Sequence, residues 1–160
     1  MEFELDIDKA LNSRKKVQDR TTAPKVLCVD DEAGNLSILE SLLSHAYQVY
    51  TAPGGVEALE LVNEHDFAVV ISDQRMPAML GTKLLKKIKE ASPFTVRILL
   101  TAYADVSDII ESINSGGVYR YILKPWDAND IRLVLKNAVE LSRLQKENVQ
   151  LLDELKTANE

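Results

Sequence analysis

The chain has 160 residues, 46% of them apolar and 28% charged, the proportions of one globular domain with additional segments. Its formal net charge of -6 lacks the basic field that a general nucleic-acid or membrane-surface binder needs. No apolar run reaches the length of a membrane span, and the first residues, MEFELDID, are acidic where a secretory leader would be basic. A cytoplasmic protein without direct nucleic-acid or membrane contact is therefore expected.

The N-terminal residues offer two patterns. Phe3, Leu5 and Ile7 alternate with acids, whereas Ile7, Ala10, Leu11 and Val17 fit one side of a helix, with Arg14, Lys15 and Lys16 among them. Residues 1–23 read as an arm or an added helix, its end linker-like from Asp19 to Pro24.

A strict alternation follows. The run 25 to 30 is short and nearly all apolar, as in a strand buried on both faces, and 35 to 46 repeats Leu36, Leu39, Leu42 and Leu43 at helical spacing. The same pair recurs as 48 to 51 with Val56, Leu59 and Val62, and as 67 to 72 with Leu84, Leu85 and Ile88. It recurs again as 96 to 101 with Val106, Ile109, Ile110 and Ile113, and a fifth run, 119 to 123, leads into a last helix. Breakers at Pro53-Gly54-Gly55, Ser92-Pro93 and Ser115-Gly116-Gly117 separate the units, and Asp105 and Asp127 stand where helix caps belong. Five strands alternating with five helices predict an α/β fold, a doubly wound parallel sheet with helices on both faces. Cys28, inside the first run, is expected to be a buried structural thiol.

Three of these strands end in chemically unusual residues: Asp30-Asp31, Asp73 and Lys124. In an open parallel sheet the carboxyl ends of the strands line the ligand crevice, so three carboxylates and an ammonium are brought together. Crowded acids repel one another unless a cation joins them, and a hard, oxygen-seeking ion such as Mg2+ suits that donor set. Alone, Asp30-Asp31 would be an acidic turn and Lys124 a solvated surface charge; their shared place at strand ends favours a metal site. His45 and His65 fall near helix ends, where loop or capping roles suit them better than metal ligation. Trp126 reads as a packing residue at the start of the last helix.

In their order, Asp30-Asp31-Glu32, SDQRMP at 72 to 77, LLTAY at 99 to 103 and YILKPW at 121 to 126 resemble the receiver domain of bacterial two-component response regulators, the CheY-like family. The resemblance covers 24 to 142. It implies a flavodoxin-like five-stranded sheet of order 2-1-3-4-5, and a regulatory domain rather than an enzyme. It further implies that Asp73 accepts a phosphoryl group from a histidine kinase or histidine phosphotransfer protein. Mg2+ would be bound by Asp31, Asp73 and the backbone carbonyl of Arg75, with Asp30 acting through water, while Thr101 and Lys124 contact the phosphoryl group. It also implies a switch in which Thr101 moves toward the phosphoryl group and Tyr121 rotates inward, and a cis Lys124–Pro125 bond. Gln74-Arg75 with Trp126 most resembles receivers that precede ATPase, cyclase or HD-type phosphodiesterase outputs. Leu80 departs from the family, which usually carries an acid before the glycine at Gly81; that glycine reads as a conformationally permissive position. Arg75 and Tyr103 flank the pocket and are expected to restrict attacking water.

The last helix continues through ELSRLQKENVQLLDELK, and a heptad fits Val134, Asn137, Leu141, Leu144, Asn148, Leu151 and Leu155. Asn148 at an a position favours a parallel, in-register dimer. Residues 143–160 are thus expected to form a coiled-coil signalling helix of a homodimer, leading to an output domain or effector outside this sequence. Two other chemistries fit less well. An aspartyl phosphatase commonly has a second acid two residues after its nucleophile, where Arg75 stands, and a nucleotide binder of the same fold would find its phosphate repelled by Asp30-Asp31-Glu32. A phosphorylation-independent dimerisation module would normally have lost pocket residues, and none is missing.

Overall fold

The computed structural model describes residues 23–158. The arm or helix expected over 1–23 lies, apart from Ala23, outside the described residues.

The near-continuous apolar runs form a five-stranded parallel sheet of β1 (Lys25–Val29), β2 (Gln48–Ala52), β3 (Val69–Asp73), β4 (Val96–Thr101) and β5 (Arg120–Leu123), in the order β2-β1-β3-β4-β5. Five helices connect and follow them: α1 (Ala33–Leu43), α2 (Gly55–Glu64), α3 (Gly81–Ala91), α4 (Val106–Asn114) and α5 (Ala128–Ala158). A 3₁₀ turn, Tyr103–Asp105, precedes α4.

Side chains alternate across each strand and so divide the core in two. Val26, Cys28, Val69, Ile71, Ile98 and Leu100 meet α1 and α5 through Leu39, Leu43, Ile131, Leu135 and Ala138. On the opposite face, Leu27, Val29, Val70 and Leu99 meet α2, α3 and α4 through Ala58, Leu84, Leu85, Ile88 and Ile109. Burial on both faces explains why these strands carry apolar residues at consecutive positions rather than every second one.

Helix phase is where periodicity misled. Val56 is 61% exposed although it shares spacing with Leu59 and Val62, because Ala58 takes the inward position. Ile110 likewise turns outward while Ile109 is buried. The expected heptad also starts too early: Val134 packs on the sheet beside Ile131 and Leu135, and half-buried Leu141 joins the same core. Only from Leu144 onward does α5 leave the domain, with Leu144, Leu151 and Leu155 exposed. Its departure is tied by two contacts: buried Ser142 donates through Oγ to the Phe94 carbonyl at 2.8 Å, and Lys146 pairs with Asp66 at 2.5 Å. Among the described residues, no helix is long and apolar enough to cross a membrane.

Candidate functional site

Register assembles the site. Val29 lies opposite Ser72 and Thr101 opposite Leu123, so Asp30 follows its strand beside Asp73 while Lys124 follows β5 beside Thr101. β1 and β3 are neighbours at the point where strand order reverses, the crevice in which such sheets place ligands. One ligand oxygen from each of Asp30, Asp31 and Asp73 lies within 4.8 Å of the others. Lys124 Nζ donates to Asp73 Oδ1 at 2.6 Å across the cis Lys124–Pro125 turn.

Each carboxylate has a different setting. Asp30 is 1% exposed; its Oδ1 accepts the Glu32 N–H at 2.9 Å and its Oδ2 the Asn35 side-chain amide at 3.1 Å. Burial pushes its carboxyl above the usual range; the Glu32 N–H works against this, the Asp73 charge adds to it, and Asn35 and Lys124 lower it. Asp31 is exposed. Asp73 is buried at the end of β3, and its Oδ1 takes both Lys124 and the Gln74 N–H, the latter at 3.0 Å. No protein donor among the described residues reaches Oδ2, so that oxygen is free to react or to bind a cation.

Three carboxylates against one ammonium leave two negative charges, which a single divalent cation neutralises, and an all-oxygen donor set suits Mg2+. The residues present therefore fit the metal. Asp31 and Asp73 would supply carboxylate oxygens to it directly, and Asp30, beside them, through water.

The loops around the crevice hold several surprises. Thr101 is fully buried, and its hydroxyl makes only a long 3.4 Å contact to the Ala102 carbonyl. Leu99 pairs with Tyr121, so alternation places Thr101 and Tyr121 on one face of the sheet, where Tyr121 packs half-buried against the α2–α4 core. Asp105, expected to cap α4, does not: both of its oxygens accept from Arg75, at 2.9 and 2.6 Å, and that guanidinium holds its carboxyl below the usual range. Asp127 does cap, accepting the Asn129 N–H at 3.0 Å. Arg75 is thus turned toward the start of α4, and Tyr103 is largely solvated.

Gly81 is required by space rather than by backbone freedom. A Cβ there would lie 2.2 Å from the Asp73 carbonyl oxygen and 2.8 Å from Leu99 Cδ1, so only glycine lets α3 start against the end of β3. The cap that Leu80 cannot provide comes from across the loop, where Gln74 Oε1 accepts the Thr82 N–H at 2.9 Å. Gln74 and Asn35 are the supporting residues that sequence reasoning missed. Their neighbours in sequence signal nothing; Gln74 reaches eight residues and Asn35 five.

The response regulator receiver domain model matches residues 26–136. The chain belongs to this family. It is 38% identical over 133 residues to the hydrogenase transcriptional regulatory protein HoxA of Cupriavidus necator, a match covering 83% of this chain and 28% of that protein. It is 37% identical over 125 residues to the transcriptional regulatory protein ZraR of Klebsiella oxytoca, covering 78% of this chain and 28% of ZraR. The chain thus spans under a third of the length of these curated relatives. Among solved structures it resembles an adenylate cyclase from Rhodopirellula baltica, with a TM-score of 0.79 and 32% identity over 82% of this chain and 98% of that one. It also resembles the signal receiver domain of an HD domain-containing protein from Pseudomonas fluorescens Pf-5, with a TM-score of 0.74 and 37% identity over 78% and 93% of the two chains.

Proposed function

We propose that this receiver, bounded at about residues 24 to 142, takes a phosphoryl group onto Asp73 from a histidine kinase or histidine phosphotransfer protein in the cytoplasm. The observation that carries the reading is the pairing of Lys124 with Asp73 at 2.6 Å beside two further carboxylates. Phosphoryl transfer asks for positioning and charge neutralisation more than for covalent chemistry by the protein. Free Oδ2 of Asp73 attacks phosphorus in line; the O–P bond forms as the P–N bond of the donor phosphohistidine breaks, and the electron pair leaves with the imidazole nitrogen. Lys124 holds the carboxylate in place and then pairs with the transferred oxygens. Thr101, without a strong hydrogen bond of its own, donates to another. Asp31, Asp73 and the Arg75 carbonyl, with Asp30 through water, would hold Mg2+, which would supply neutralisation of the developing charge.

Transfer of Thr101 toward the phosphoryl group vacates space into which Tyr121 rotates, since both lie on one face of the sheet. The resulting change in the α4–β5–α5 surface passes along α5 to a homodimer contact made by Leu144, Asn148, Leu151 and Leu155 in the coiled-coil segment 143–160. From there it reaches an output domain or effector. The relatives' names support a regulator of transcription as the longer protein, while the cyclase and HD-domain neighbours support an enzymatic output; the receiver itself turns over no substrate and contacts neither nucleic acid nor membrane.

The test is intact mass after incubation with Mg2+ and acetyl phosphate. One phosphoryl adduct is expected on the native chain and none on Asp73→Asn; an adduct that survives in Asp73→Asn moves the acceptor elsewhere.

A further inference from the structure

One ion pair beside the crevice has no part in phosphoryl transfer as described. Arg75 leaves the loop after β3 and donates from Nε and Nη2 to the two oxygens of Asp105, thirty residues on, at the end of the 3₁₀ turn. The partners are unlike: the Arg75 side chain is 74% exposed and that of Asp105 only 8%. A sequestered carboxylate served at both oxygens by one guanidinium depends on that group, whereas the exposed guanidinium depends far less on the carboxylate. Asp105 also stands immediately before α4, where a short acidic side chain caps helices well, yet its side chain makes no cap bond to α4. Arg75 diverts it.

Arg75 is two residues from Asp73, and two residues span at most about 7 Å of backbone. Phosphorylation replaces the single negative charge of the Asp73 carboxylate with roughly two on the phosphoryl group, and places three strong acceptor oxygens within reach of a mobile guanidinium. Its nearest cation, Lys124, is a point charge already engaged with Oδ1.

We propose that Arg75 is a two-position clasp, seated on Asp105 in the unphosphorylated protein and on the phosphoryl group afterwards, and that its departure frees Asp105 to cap α4 and re-seat the start of that helix. The inference rests on Asp73 being the phosphoacceptor. Arg75 and Asp105 then act as positioning residues: the clasp opposes phosphorylation by holding the guanidinium elsewhere, and links the acceptor loop to α4 independently of Thr101 and Tyr121.

The experiment uses the full 160-residue chain with Mg2+ and beryllofluoride as the phosphoryl surrogate, following binding by the fluorescence of its one tryptophan, Trp126. Hydrogen exchange of the amides of α4 is followed in parallel. Asp105→Asn keeps a capping group but loosens the clasp, so beryllofluoride is expected to bind about tenfold more tightly, and α4 without beryllofluoride to exchange as it does with it in the native chain. Asp105→Glu keeps the charge and should bind as the native chain does. Exchanging the charges, Arg75→Asp with Asp105→Arg, restores resting α4 protection while weakening beryllofluoride binding. An Asp105→Asn affinity within about twofold of native, tightening by Asp105→Glu equal to that of Asp105→Asn, or native-like binding by the exchanged pair overturns the clasp. A native chain that binds no beryllofluoride defeats the phosphoacceptor reading itself, and the clasp with it.

Discussion

At the scale of single residues, what matters in this receiver is which atoms are already occupied. Asp73 has one oxygen committed to Lys124 and Gln74 and one free, and the buried Thr101 hydroxyl lacks a strong partner. Gly81 keeps the Asp73 carbonyl clear, and Gly81→Ala is expected to destabilise the fold by about 2 to 3 kcal/mol, since the atom it strikes is backbone that cannot step aside. A urea titration measures this, and an unchanged midpoint would show that α3 can slide away from β3. Cys28 makes a different kind of prediction. Burial pushes its thiol from 9.0 up to about 12, so the native chain keeps a proton that the unfolded chain loses between those values. Its contribution is fully present below pH 9 and falls with rising pH, by at most about 1.4 kcal/mol per pH unit. Cys28→Ala should flatten the alkaline fall in stability seen by urea titration at successive pH values, and the native thiol should resist alkylation until the chain is unfolded. The residue identities at the strand ends were legible in the sequence because the chemistry sits where each apolar run stops. Asn35, Gln74 and the partner of Asp105 were not, because each is defined by a side chain reaching across a loop.

At the scale of elements, strands were the most readable and helix faces the least. A strand buried on both sides declares itself by apolar residues in succession, as β1, β3 and β4 do, and all five strands begin and end within two residues of the expected limits. A short helix tolerates a rotation of its apolar stripe, so Val56 and Ile110 face outward while smaller or neighbouring residues take the core. The ends of α3 show how local rules are satisfied from a distance: Leu80 offers no cap, and Gln74 supplies one from the preceding loop. Gln74→Ala should cost about 1 kcal/mol of stability through the uncapped Thr82 N–H, with circular dichroism at the thermal midpoint as the measurement. Because the Gln74 backbone also bonds Asp73, slower phosphorylation by acetyl phosphate is expected alongside; a stability loss with an unaltered rate would make Gln74 a cap alone.

At the scale of the molecule, α5 is one 31-residue helix with two occupations. Its first half closes the core against β3 and β4, and Ser142 and Lys146 tie it to the loops at the amino ends of the strands. Its second half carries Leu144, Leu151, Leu152 and Leu155 into solvent. The seam left for a partner is short, and coils of this length are marginal alone, so a dimer must draw support from the receivers. Leu151→Asp is expected to leave receiver stability within about 0.5 kcal/mol, since the position is exposed in the single chain. It should also turn a dimeric sedimentation profile monomeric at micromolar concentration, because a dimer seam would bury the new charge unpaired. A native chain already monomeric with beryllofluoride removes the dimer. The sequence by itself determined the fold class, the sheet's strand count and the meeting of Asp30, Asp31, Asp73 and Lys124 at one edge, because burial writes periodicity into the chain and strand ends place chemistry there. Only the tertiary structure decided the phase of the helices, where the free part of α5 begins, why residue 81 is glycine and what Arg75 holds. These depend on contacts between segments far apart in the chain, and no local pattern encodes which of several available partners a side chain will meet.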